Sequence, residues 1–175
     1  MTFPLNFLPK NNNNFYIPNP SDDSFETLNN FLKPCNVDVF FALSHGVHRG
    51  VLKTGKIDDR INFLKQLSEI TPDVKFDIYG IDKVQPIWAD HYFKTISNSK
   101  MGLNLSRGDP IKYYSSDRIT QIIGNGLVTL IDEKTGYQDF FNNDEMVFYK
   151  NLSDLSEKIT KISKDEKLRK NIGKN

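Results

Sequence analysis

The chain has 175 residues, 38% of them apolar and 12% aromatic, with a formal net charge of +1. That length suits one domain able to bury about 70% of its unfolded surface, and the near-neutral charge gives no global pull toward nucleic acid or membrane. Cys35 is the single cysteine, which excludes an intramolecular disulfide and a cysteine metal cluster.

Residues 1–35 read as a connector. Asn11 to Asn14 form an asparagine run, and Pro4, Pro9, Pro18, Pro20 and Pro34 remove ladder donors and discourage regular structure. The start, MTFPLNFLPKNNNN, lacks the basic region and apolar core of a signal peptide. No apolar run approaches the roughly 20 residues that span a bilayer, so a cytoplasmic protein without a transmembrane segment is expected. One short helix is expected from Ser24 to Leu32, with Phe25, Leu28 and Leu32 on one face.

Residues 36–175 are regular. Val37–Leu43 is strand-like, and Ile57, Ile61, Leu64, Leu67 and Ile70 follow at helical spacing. Val74–Tyr79 reads as a strand closed by Gly80. Trp88, Tyr92, Phe93 and Ile96 mark a second helix, and Met101–Leu105 a third strand. A short helix opened by Ser115 and Ser116 leads through Gly124 and Gly126 to a strand over Leu127–Ile131. Met146–Tyr149 is a fifth strand, and the tail is helical, with Leu152, Leu155, Ile159 and Ile162 on one stripe, then Leu168 and Ile172.

Strands alternating with helices predict an α/β fold, a doubly wound and mostly parallel sheet with helices on both faces. Ligands in that architecture sit beyond the carboxyl ends of the strands. The loops sharing that edge are Ser44–Lys56, Gly80–Gln85, Ser106–Ser116 and Asp132–Tyr137. The stretch Met101–Leu130 stands out among them, because it places hydroxyls, Arg118 and free helix amides at one strand end, a setting that favours phosphates. Histidines and cations of the first loop, His45, His48, Arg49, Lys53 and Lys56, face the same crevice, and two cationic loops suit a diphosphate or another multiply charged anion. A solvated charged loop is the plainer account of any one of them.

Other motifs fall short. Gly50–Lys56 (GVLKTGK) spells most of a P-loop, but Ile57 stands where a Mg²⁺-binding hydroxyl is needed and the first glycine is detached from the strand. The loop SHGVHRG lacks the G-x-G-x-x-G spacing of dinucleotide folds, and Ser106 replaces the aspartate of a phosphoreceiver domain. His45 and His48 lack further ligands for a metal site, so no metal and no cofactor are expected. Lys158–Lys174 carries seven basic residues against two acids. That tail suits peripheral contact at the inner membrane face, although a solvated helix face is the more ordinary explanation.

The block SSDRITQIIGNGLVTLIDEKTGYQDFFNNDEMVFYKNLSDLSEKITKISKDEKLRKNIGKN resembles the carboxyl-terminal half of GT-B glycosyltransferases. The branch it is most similar to is the group-1-related, spore-maturation-type family of many bacteria. The likeness lies in a serine-rich loop running into Arg118, in Gly126 eight residues later, and in the segments FFNNDEMVFYKNLSDLSEKI and KDEKLRKNI. IPNPSDDSFETL looks like the segment leading into that half, so the resemblance covers nearly all of residues 16–175.

The resemblance implies a Rossmann-like donor domain that holds a nucleotide-diphosphate sugar for transfer to an acceptor hydroxyl, on a glycan or other molecule. By carry-over Ser115, Ser116 and Arg118, with Tyr114 beside them, meet the diphosphate or donor sugar. Gln121 takes the place of a glutamate that bonds the ribose, a departure that exchanges a charged acceptor for a neutral amide. The acceptor-binding amino-terminal domain of such enzymes has no counterpart here, which implies a missing or separate partner domain and leaves the catalytic base unassigned. The rival reading is a non-catalytic nucleotide-binding or interaction module on the same fold.

Overall fold

A computed structural model of the chain describes residues 17–43 and 59–175. Five strands, β1 (Val37–Ala42), β2 (Phe76–Tyr79), β3 (Ser99–Asn104), β4 (Val128–Asp132) and β5 (Val147–Tyr149), form one sheet in the order β2-β1-β3-β4-β5. Every adjacent pair is parallel. The helices are α1 (Asp59–Ile70), α2 (Ala89–Ile96), α3 (Asp117–Gly124), α4 (Leu152–Lys164) and α5 (Glu166–Lys174).

Alternation along the strands divides the core. Val39, Phe41, Met101, Leu103, Leu130 and Val147 face Leu64 and Leu67 of α1, Leu155 and Ile159 of α4 and Ile172 of α5. Phe40 on the opposite face packs with Ile96 of α2 and Ile122 of α3, and Ile131 and Phe148 pack with Ile119. Strands buried on both faces read as continuous apolar runs because helices cover both sides. The doubly wound expectation is borne out.

The strand order reverses between β1 and β3. The connection through α1 leads to β2 on one side, and the connection through α2 returns to β3 on the other. A crevice opens at such a switch point because the two connecting loops diverge there.

Two details set α3 over this crevice. Gly102 of β3 lies under Ile122, where any side chain would collide with it. Gly126 ends the helix at φ +70°, with its N–H donating to Ile123 O and the Leu127 N–H to Ile122 O.

The helix expected over Ser24–Leu32 does not form. A turn at residues 23–25 and a 3₁₀ segment over Asn30–Leu32 stand there instead. Asp22 accepts from the Ser24 N–H and hydroxyl, the Glu26 carboxylate returns to the Asp22 N–H, and Asn29 is left-handed at φ 48°. Local side-chain bonds of this kind compete with helical ones. The segment is fastened to the sheet domain: Asn30 Nδ2 donates to Ile96 O and Ser99 O, both at 2.8 Å. Arg169 of α5, 1% exposed, donates to Asn30 O and Lys33 O, both at 2.9 Å, and pairs with Glu166.

Candidate functional site: a cleft at the sheet switch point

A cleft of about 650 Å³ opens over the carboxyl ends of β1 and β3. Its floor is Ala42 and Leu43 on one side and Leu105 and Ser106 on the other. Arg118 joins the two. Its Nε donates to Ala42 O at 3.2 Å and its Nη1 to Leu105 O at 3.1 Å, while the guanidinium lies 4.9 Å from the Phe41 ring centroid. The sequence places this arginine correctly at the crevice but does not reveal that two of its donor nitrogens are occupied by backbone carbonyls.

Burial, and then the charge of Arg60, lower the Arg118 pKa to about 10. Arg60, the second residue of α1, is 6% exposed and lines the same cleft. Two guanidinium groups at one crevice raise each other's energy, and an anion between them relieves that repulsion.

The α3 end is the second wall. Ser116 is the N-cap residue, yet its hydroxyl makes no capping bond, and its buried Oγ has no hydrogen-bond partner among the described residues. The Ile119 N–H bonds back to Ser116 O, and the helix axis points its positive end at the cleft. Tyr114 and Gln121 also line the space. Ser115 does not: it is 3% exposed, and its Oγ accepts from the Asn19 N–H at 2.9 Å. Asp117 lines the cleft, with its carboxylate accepting from Asn19 Nδ2 at 2.8 Å.

The third wall is aromatic. Ile87, Trp88, Tyr92 and Phe93 line the cleft, and Trp88 stays 62% exposed. The Tyr92 ring packs edge-on against Phe40 at 5.5 Å, and burial pushes its hydroxyl pKa up to about 12. The loop leading here holds Asp82 and Lys83 at positive φ, and Ala89, on the wall itself, has φ 47°. Such backbone persists only when its surroundings hold it.

The structure therefore brings together Tyr114, Ser116, Arg118 and Gln121, and turns Ser115 to a structural contact. His48, Arg49 and Lys53 lie outside the described residues. Sequence reasoning missed Arg60, Trp88, Tyr92 and Arg107. Arg60 and Trp88 sit at helix starts that the strand alternation already aims at this edge, so topology offered a signal that motif matching did not.

A family model described as glycosyl transferase-like matches residues 60–175. The chain belongs to that family. Every described cleft residue from Arg60 onward falls inside the matched span of this glycosyl transferase-like chain. Among solved structures it is similar to the crystal structure of TarM, with a TM-score of 0.54 and 15% identity over 92% of this chain. It spans 33% of the TarM chain, so the likeness concerns the fold of one part of that protein. No curated protein matches. The expected Rossmann-like half of a GT-B glycosyltransferase is borne out as a fold. Among the described residues no helix is long and apolar enough to cross a membrane.

Proposed function

We propose that this glycosyl transferase-like chain is the donor-binding half of a glycosyltransferase and holds a nucleotide-diphosphate sugar in the cleft at the switch point. The observation that carries the reading is the coincidence, at one crevice, of Arg118, Arg60, the α3 amino terminus and an exposed aromatic wall. The diphosphate suits the α3 end, where Ser116 Oγ lacks a partner among the described residues and the helix dipole favours negative charge. The base suits the aromatic wall, where Trp88 offers a face for stacking.

In transfer, charge develops on the departing diphosphate. Fixed cations and helix amides stabilise such charge without reorganising, which is how preorganised sites lower a barrier. Holding donor and acceptor in line contributes further, about 7–11 kcal/mol in well-oriented cases. No residue of the described cleft is assigned as acceptor site or base, so residues 1–175 alone are expected to transfer sugar negligibly. The non-catalytic alternative is favoured by two observations: Arg118 spends two nitrogens on Ala42 O and Leu105 O, and Gln121 is uncharged.

Calorimetric titration with UDP, GDP and ADP tests the reading. Binding of at least one, unchanged by EDTA, is expected. A folded chain that gives no heat with any of them overturns it, and sugar transfer at an ordinary enzymatic rate by the chain alone would place the acceptor site within these residues.

A further inference from the structure

Pro18 and Pro20 flank Asn19, so the backbone at that residue has little freedom and stays extended. Held in this way, Asn19 reaches the start of α3. Its N–H donates to Ser115 Oγ at 2.9 Å, and its carbonyl accepts from Thr120 Oγ1 at 3.4 Å. Its side-chain Nδ2 donates to Asp117 Oδ1 at 2.8 Å. The first two bonds belong to the backbone of Asn19, and only the third to its side chain.

The faces of α3 give these bonds their meaning. Residues three and four apart on a helix share a face, and Arg118 and Gln121 turn one face to the cleft. Asp117, Thr120 and Gly124 lie along the neighbouring face, against the connector. Thr120 bonds to Asn19 there, and a side chain at residue 124 would collide with Ser21 and Glu26. Asp117 stands where the two faces meet, since it also lines the cleft, whereas Asn19 does not. A carboxylate in the first turn stabilises a helix, but one turned toward a bound phosphate opposes it.

We propose that Asn19 is a positioning residue for the diphosphate. Its amide holds the Asp117 carboxylate on the connector face of α3, out of the path of the anion, and leaves Ser116, Arg118 and the helix amides to meet it. The proposal rests on the reading of the cleft as the nucleotide diphosphate site. An amide donates without a charge of its own, so it restrains the carboxylate without drawing the phosphate away from α3. The connector thereby contributes to the affinity of a ligand it does not touch.

The test is calorimetric titration of wild type, Asn19→Ala, Asp117→Asn and the double variant with UDP, GDP and ADP, at about 50 mM and about 500 mM salt. Asn19→Ala keeps both backbone bonds, so thermal melting should show a folded chain. At the lower salt it should bind the diphosphate about two- to fivefold more weakly than wild type, the scale of one exposed charge interaction. That loss should shrink at the higher salt, where exposed charges are screened. In the Asp117→Asn background the alanine should cost no affinity. Asn19→Asp, which sets a second carboxylate beside the first, should bind more weakly than Asn19→Ala. Equal affinity of wild type and either Asn19 variant at the lower salt overturns the proposal. A loss that persists with Asp117→Asn overturns it too, and leaves Asn19 as a support of the helix alone. Failure of every diphosphate to bind wild type refutes the nucleotide reading itself, and the proposal falls with it.

Discussion

Gly102→Ala tests how the sheet sets the position of α3. A Cβ at residue 102 would lie 2.5 Å from Ile122 Cγ1 and 2.7 Å from both Cδ1 and Cγ2. Carbon atoms in contact prefer about 3.5–4.0 Å, so roughly 1 Å must open between β3 and α3. Ile122 is 0% exposed and has nowhere to swing. Overpacking of this kind costs about 1–3 kcal/mol. In a chain of this size each kcal/mol lowers Tm by about 2–4 °C, so a fall of roughly 2–12 °C is expected by circular dichroism. Ser116 and Arg118 head the same helix, and lifting it should weaken nucleotide binding in parallel. In an Ile122→Ala background, which removes all three colliding atoms, the glycine substitution should cost nothing or stabilise. An unchanged Tm for Gly102→Ala alone would refute the packing argument.

Arg169→Leu should destabilise the chain in urea unfolding by about 1–3 kcal/mol for each carbonyl left without its donor, Asn30 O and Lys33 O, with the half-exposed Glu166 carboxylate adding little. Glu166 carries the pH dependence of that contact. The hydrogen bond from Arg169 holds its carboxyl below the usual glutamate value, so the charged form is favoured in the folded state. Its stabilisation is present above about pH 4.5 and is lost as pH falls through the lower, folded value; the Tm difference between wild type and Glu166→Gln should shrink over that acid range. Arg118→Ala should lose about 1.5–3 kcal/mol of nucleoside diphosphate binding by calorimetry, the range for a bond to a charged group. It should also lower Tm, since Ala42 O and Leu105 O are left without their donor.

Much of the fold was legible because inner strands such as β1 and β4 are buried on both faces and announce themselves as apolar runs. VDVFFAL and VTLI are such runs, and the glycines at 102 and 126 mark the places where α3 approaches and leaves the sheet. Residues 23–32 were not legible. Phe25, Leu28 and Leu32 keep helical spacing, but Asp22, Ser24 and Glu26 satisfy the backbone locally, and Phe25 and Leu32 end up 69% and 71% exposed. Apolar periodicity cannot detect that competition. Within the site, Arg118 was found because it follows serines at a helix start. Its bonds to Ala42 O and Leu105 O depend on two strands distant in sequence.

Amide chemical-shift mapping with UDP, GDP or ADP tests the central claim most directly, because it locates the ligand as well as detecting it. The account predicts saturable shifts concentrated at residues 105–107, at Tyr114–Gln121 and along the Ile87–Phe93 wall, with the outer faces of α4 and α5 unaffected. Shifts centred on α4 and α5, or none from a folded chain with any of the three nucleotides, would contradict it.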